Sequence, residues 1–192
     1  ETWFCGDIEA GILTRLNAID ETALGFFEKR ILSWIRCSLH CILLASPKWL
    51  DRVSVMVDKY CKGIFRYKDA NNRWQSTDFA KSIYEAFNYD GYRKNTLILL
   101  AEKLNFKSCP YCNMHYTLFA EEGNKYKDKL TKFQFDHFFD KTDYPLLSMS
   151  LYNLIPSCGV CNQGKSTGHL SLKFHPYASC IADQFHFKVT DP

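Results

Sequence analysis

Nowhere in these 192 residues does an apolar run approach the roughly 18 residues that a membrane-spanning helix needs. The richest stretch, Cys37 to Ala45, is short and interrupted by His40, so no membrane span is expected. Charge of one sign is also scarce. Lysine and arginine outnumber aspartate and glutamate by only 24 to 21, a surplus too mild to mark a nucleic-acid binder by itself. Arginine is missing altogether after Arg93. Any grip on nucleic acid in the second half must then come from a metal and a few lysines, or from a partner's basic surface. Low-complexity tracts are absent, and so are internal repeats apart from a duplicated C-x-x-C. The first residue is Glu1 rather than Met, which leaves room for a native N-terminus or a leader ahead of it.

What is present is a globular composition, 46% hydrophobic and 16% aromatic, in a chain long enough for one domain or two small ones. Residues 7–105 read as helical. Leu24, Phe27, Ile31, Trp34, Ile35 and Leu39 fall close to a 3.6-residue period, in a helix expected to be capped near Asp20. Ser46-Pro47 opens a second helix, since proline suits the first helical turn. Tyr67 to Ser76 is polar and reads as a loop. Ser76 or Thr77 then caps a helix through Phe79, Ile83 and Phe87, Asn88 to Gly91 is a turn, and Tyr92 to Leu104 forms another helix. At Phe106 the texture changes: glycine, proline and cysteine appear, and periodicity gives way to strand-like runs such as Phe133 to Phe139. Glu121 to Lys132 is a charged insertion. The expected class is α+β, with a helical region over 1–105, a compact module over 106–170 and a C-terminal extension over 171–192 packing on that module.

Nine cysteines is a high and odd number. In a secreted chain it would suggest disulfides and one free thiol. Here four of them form two pairs, Cys109-Pro110-Tyr111-Cys112 and Cys158-Gly159-Val160-Cys161. Two intervening residues put both sulfurs on one side of a tight turn, at the bite of one tetrahedral zinc, and two pairs make a closed, structural shell. A single C-x-x-C would leave a redox role or a disulfide competitive; two of them without secretory features favour Zn2+. Cys5, Cys37, Cys41, Cys61 and Cys180 sit mostly among apolar residues, where free cysteine behaves as a small hydrophobe. Cys37 and Cys41, four apart on an expected helix, are assigned to core packing. A reducing, cytoplasmic setting follows. The 45 residues between Cys112 and Cys158 exceed a simple zinc ribbon, so something else is threaded between the knuckles.

That insert carries Phe135-Asp136-His137-Phe138 and Tyr152-Asn153-Leu154-Ile155-Pro156-Ser157, and Asn162-Gln163-Gly164-Lys165 follows the last cysteine. Phosphodiester cleavage needs an activated water, charge relief on the phosphate and a stabilised leaving oxygen. A neutral imidazole suits the first task, and a carboxylate with an amide oxygen suits a hard divalent ion. On adjacent strand residues Asp136 and His137 point to opposite faces unless the strand ends there. Lys165 is placed to meet a phosphate near the start of the final helix, where backbone N–H groups favour anions. His115 is read as structural. His169, His175 and His186 lie at no metal-pair spacing and are left out.

Over about 106–169 these motifs resemble, in order and spacing, the HNH (ββα-metal) nuclease family. The resemblance implies a zinc-stapled ββα-metal module in which Asp136 and Asn162 hold a catalytic Mg2+ or Mn2+, His137 is the general base, and Asn153 bridges the loop to steady His137. Asparagine at the final position, where other versions carry histidine, favours Mg2+ or Mn2+ over a softer ion. Leu172-Lys173-Phe174-His175-Pro176-Tyr177 and Phe185-His186-Phe187 resemble the C-terminal extension of HNH subunits in Septu-type antiphage systems, including retron-associated ones. That likeness implies a bacterial defence effector with an ABC/SMC-like ATPase partner, cutting nucleic acid, DNA in preference to RNA, with no membrane involved. The competing expectation is a zinc-stabilised binding or assembly module whose nuclease site is vestigial.

Overall fold

The computed structural model describes residues 2–94, 96–117, 119–121, 129–131, 133–168 and 170–178, with side chains for 6–94, 96–117, 133–168 and 170–178. The class is α+β: eight helices and three two-stranded antiparallel pairs among the described residues. No helix of these residues is long and apolar enough to cross a membrane.

Helix α1 (Thr2–Asn17) buries Ile8, Ile12 and Leu16, a strict i, i+4 stripe, against α2 (Phe26–Leu43) and α5 (Asp78–Phe87). In α2 the buried face is Leu32, Ile35, Leu39, Ile42 and Leu43. Of the expected stripe, Ile35 and Leu39 are buried, Leu24, Ile31 and Trp34 pack half-buried against the core, and Phe27 alone is 69% exposed. Gly25 precedes the helix and Glu28 reaches back to the Gly25 N–H, whereas Asp20 caps the preceding turn through Thr22. Cys37 and Cys41 are exposed, not core. Each lies two residues beyond a buried position, about 200° round the helix and so on its far side. Cys5 and Cys180 lie outside the described side chains.

Two arginines close helix ends inside this layer. Arg15 Nε donates to the Ala86 carbonyl (2.7 Å) at the end of α5, and Arg36 Nη2 donates to the Leu16 carbonyl (2.8 Å) at the end of α1. Terminal carbonyls lack intrahelical donors, so a cation there serves both hydrogen bonding and the helix dipole.

Helix α3 (Pro47–Met56) starts on Ser46 with proline in its first turn, then passes through a π-type turn, Val57–Cys61, into the short α4 (Lys62–Phe65). The stretch read as a polar loop is a hairpin instead. Strand β1 (Arg66–Lys68) pairs with β2 (Trp74–Ser76) in the register Arg66↔Ser76, Tyr67↔Gln75, Lys68↔Trp74. Tyr67 and Trp74 favour extended backbone. The turn is built by Asp69, whose carboxylate accepts from the Asn71 and Arg73 N–H groups, with Asn72 at φ 60°. Thr77 caps α5, accepting from the Ala80 N–H (3.1 Å). Helix α6 (Tyr89–Arg93) follows at Asn88, and α7 (Thr96–Leu104) replaces the longer helix expected from Tyr92.

Beyond residue 105, β3 (Phe119–Glu121) pairs with β4 (Lys129–Thr131), the arms of the charged insertion whose tip lies outside the described residues. Strand β5 (Gln134–His137) pairs with β6 (Leu154–Ser157), and α8 (Gly159–Lys165) packs on β5. Two 3-10 turns, Pro145–Leu147 and Leu151–Asn153, carry the chain between these strands and under the helical layer. Ser150 Oγ donates to the Ile42 carbonyl, Tyr144 Oη to Asp58, and Arg66 pairs with Asp143. Residues from both halves, Ile12 and Leu39 as well as Phe138 and Ile155, belong to one buried cluster. The tail to residue 178 lies on β6 and its surroundings: Tyr177 Oη donates to the Leu154 carbonyl, and its ring meets those of Phe106 and Tyr152. Phe185, His186 and Phe187 lie outside the described residues, as does His169.

Candidate functional site

Two local structures bring the four paired cysteines together. Around the first pair the chain folds back on itself: the Cys109 N–H donates to the His115 carbonyl, the Thr117 N–H to the Lys107 carbonyl, and Asn113 takes φ 52° at the turn. At the second, β6 delivers Cys158 as the cap residue of α8, where its Sγ accepts from the Cys161 N–H (3.4 Å). One thiol sulfur from each of Cys109, Cys112, Cys158 and Cys161 lies within 4.8 Å of the others. Sulfurs on one tetrahedral zinc would stand about 3.8 Å apart, given Zn–S bonds of about 2.3 Å; Cys112 and Cys158 are 4.0 Å apart.

The thiols do not share one environment. Burial pushes Cys109 and Cys161 up, and for Cys161 the neighbouring Cys158 and Cys112 sulfurs add to it. At Cys112 burial acts in the same sense but is outweighed by hydrogen bonds from His115 and from the Met114 backbone, which bring it down to about 6. The His115 ring lies 3.6 Å from the Cys112 sulfur. Four sulfurs this close cannot all ionise unless a cation neutralises them. The donor set, all thiolate and mostly withdrawn from solvent, fits a metal held for structure.

The second cluster opens on a cleft of about 530 Å3 beside β5. Strand β5 ends at His137, and both Asp136 and His137 line this cleft, although their side chains keep separate partners, Tyr111 and Lys165 for Asp136 and Ser148 and Tyr89 for His137. Asn162, from the first turn of α8, lines it too, as do Gln134, Asp140 and the cations Arg93, Lys94 and Lys141. Asp136, His137 and Asn162 thus all contribute to the lining of one cleft.

Asp136 is 3% exposed. Burial raises its carboxyl pKa, and two donors oppose that shift: Lys165 Nζ at 3.1 Å from Oδ1 and Tyr111 Oη at 2.6 Å from Oδ2. Tyr111 belongs to the first knuckle, so the cysteine scaffold is hydrogen-bonded directly to this carboxylate. Burial and the adjacent Asp136 charge push the Tyr111 hydroxyl far up, which keeps it a donor. Lys165 lies in the last turn of α8, not near its start. Its side chain is only 5% exposed, and its ammonium also donates to the His137 carbonyl (2.7 Å). It is turned inward because a buried carboxylate without a counter-charge is costly.

His137 donates from Nε2 to the Ser148 carbonyl (3.0 Å), which leaves Nδ1 as the lone-pair nitrogen. The ring stands edge-on to Tyr89, centroids 4.4 Å apart. Burial, with the Lys141 charge nearby, lowers its pKa to about 3, so the imidazole is neutral at any working pH. Lys141 itself is held by Tyr84 Oη (2.8 Å) over the Tyr89 ring.

Asn162 Nδ2 donates to Gln134 Oε1 (2.7 Å), which leaves its amide oxygen as the remaining acceptor. Asn153 is fully buried and uses every hydrogen-bonding group it has. Its side-chain oxygen accepts from the Phe139 N–H (2.7 Å), Nδ2 donates to the Phe139 and Leu147 carbonyls, and its own carbonyl accepts from the Phe138 N–H. The loop from 139 to 147 is thereby clamped at both ends, immediately after His137 and immediately before Ser148.

Sequence reasoning missed Tyr111, Gln134, Tyr89 and Lys141. Tyr111 carried a signal, since it sits inside a knuckle that must face the strand pair. Tyr89 and Lys141 carried none, because they reach the site only through tertiary packing. Compared with known protein-family models, curated proteins and solved structures, the chain finds no match.

Proposed function

We propose that this chain is a metal-dependent HNH endonuclease whose structural Zn2+ is held by Cys109, Cys112, Cys158 and Cys161. The observation that carries the reading is that Asp136, His137 and Asn162 all line one cleft, on a strand–strand–helix unit whose β6–α8 junction carries two of the four clustered cysteines. Chemically, the Asp136 carboxylate and the Asn162 amide oxygen form the kind of hard donor pair that takes Mg2+ or Mn2+. Such an ion, when bound, supplies charge relief at the scissile phosphate and the leaving oxygen.

The remaining roles belong to the chain. With Nε2–H fixed on the Ser148 carbonyl, His137 presents Nδ1 as acceptor for a water proton. Asn153 is a positioning residue that fixes the backbone on either side of that hydrogen bond. Tyr111 holds the Asp136 carboxylate in place, and Gln134 orients Asn162. Lys165 neutralises Asp136 in this structure; with that carboxylate holding a divalent ion, the Lys165 ammonium would be available to meet a phosphate. Arg93, Lys94 and Lys141 give the cleft a positive wall suited to a polyanion. We place the chain in the cytoplasm, as the effector of an antiphage complex with an ABC/SMC-like ATPase, cutting DNA in preference to RNA. That part rests on the sequence resemblance and on the low net charge, which leaves substrate capture partly to a partner.

A second reading draws on the Lys165–Asp136 ion pair. If that ammonium permanently replaces the divalent ion, the unit is a zinc-stabilised assembly module with a vestigial site. One experiment separates the two. Purified protein, alone and with its partner, is incubated with plasmid DNA and tRNA in Mg2+ or Mn2+. Cutting that needs the added ion and falls by at least about a hundredfold in His137→Ala supports the nuclease. Equal background cutting by wild type and His137→Ala overturns it.

A further inference from the structure

The β1–β2 hairpin takes no part in the proposed reaction, yet it displays an unusual surface. Trp74 is 41% exposed, and three cations stand over its ring: Lys62 at 4.8 Å, Lys68 at 5.3 Å and Arg66 at 5.7 Å from the centroid. The register explains how they meet. Lys68 is the direct cross-strand neighbour of Trp74, Arg66 lies two residues along the same face, and α4 brings Lys62 alongside. Three like charges around one indole repel each other. Only Arg66 is offset, by Asp143; Lys62 and Lys68 have no carboxylate partner among the described residues. The preceding π-type turn adds a second exposed pair of the same kind, Lys59 over Tyr60 at 5.1 Å.

Aromatic faces ringed by lysine and arginine match one ligand chemistry well: bases that can stack, strung on a phosphate backbone. Duplex DNA keeps its bases stacked on each other, so an unpaired strand is the better fit. The hairpin is also anchored next to the candidate site. Its Arg66 pairs with Asp143, whose N–H donates to the carbonyl of Asp140, a residue of the cleft wall. We propose that the β1–β2 hairpin is a docking surface for single-stranded nucleic acid, on which a base stacks against Trp74 while Lys62, Arg66 and Lys68 meet the adjoining phosphates. Its purpose, delivery of a strand to the cleft, rests on the nuclease reading; the binding itself does not.

The test is binding without cleavage. Full-length protein carrying His137→Ala, without added Mg2+ or Mn2+, is titrated into fluorescent oligothymidine, oligouridine and a duplex of equal length, and anisotropy is read. Trp74→Ala is expected to weaken strand binding about tenfold and Trp74→Phe to restore most of it, since the stacking face returns. Lys62→Ala with Lys68→Ala is expected to make the plot of log Kd against log salt shallower by about 1.4, two phosphate contacts' worth for a single strand. The two oligonucleotides report whether the strand is DNA, RNA or either. Unchanged binding by Trp74→Ala, equal affinity for the duplex, or no measurable strand binding overturns the proposal. Because no cutting is measured, Trp74-dependent binding stands even if the cleavage reading fails.

Discussion

Single side chains carry much of the site's order, and Asn153 is the clearest case. Its side chain makes three buried hydrogen bonds to backbone groups that have no solvent to turn to. Asn153→Ala should cost about 3 kcal/mol of unfolding free energy, because buried donors and acceptors are left unpaired; urea unfolding at pH 7 measures it, and a loss under 1 kcal/mol would mean the loop is braced otherwise. Tyr111→Phe removes one of the two donors to Asp136. A smaller loss of about 1–2 kcal/mol is expected, with zinc content unchanged. His175, left aside as sequence, turns out to be fully buried between Phe138 and Tyr177, its Nδ1 accepting from the Tyr177 N–H. Burial lowers its pKa from the ordinary 6.5 to about 4. Between those values the unfolded chain takes up a proton that the folded chain refuses. Stability from this source is therefore complete above pH 6.5 and is lost as pH falls toward 4, by at most about 3 kcal/mol. His175→Phe should flatten that part of the pH profile relative to wild type in zinc-containing buffer. The motif residues were readable because their spacing is local. The role of His175 was not, since nothing near it in sequence announces Phe138, some forty positions away, as its neighbour.

At the scale of elements, the cysteine cluster ties the ends of the site together. Cys158 caps α8, the first knuckle delivers Tyr111 to Asp136, and α8 carries both Asn162 and Lys165. Removing the metal with a strong chelator, or changing Cys158→Ser, should loosen β5, β6 and α8 before α1 and α2. Hydrogen exchange would show this as faster exchange at the β5 and β6 amides while the amides of α1 and α2 stay protected. Uniform deprotection would instead mean that the cluster supports the whole fold. Helix existence was legible from apolar periodicity, as in α5 with its Thr77 cap. Two elements were misread for physical reasons. In α2 the periodic stripe does join the core except at Phe27, and Phe27, Cys37 and Cys41 lie on a face that nothing among the described residues covers, so apolar character alone placed these three wrongly. The β1–β2 hairpin hid in a polar stretch because both its faces are largely exposed and no alternation of apolar and polar residues marks it.

For the whole molecule, the helical layer and the strand–strand–helix unit share one core, and residues from the layer, notably Tyr89 and Lys141's partner Tyr84, shape the cleft around His137. The candidate catalytic set thus draws on both the helical layer and the strand–strand–helix unit, although its motifs lie within about thirty residues of one another. The proposed function assigns this molecule two metals with separate jobs, one holding the scaffold and one enabling hydrolysis. The most direct measurement is the rate of Mg2+- or Mn2+-dependent nucleic-acid cleavage by zinc-loaded Asp136→Ala beside wild type, with zinc counted in both. The expected result is about one zinc per chain in each protein and cleavage in the wild type alone. Cleavage by Asp136→Ala at the wild-type rate would contradict the assignment of this carboxylate and, with it, the proposed site.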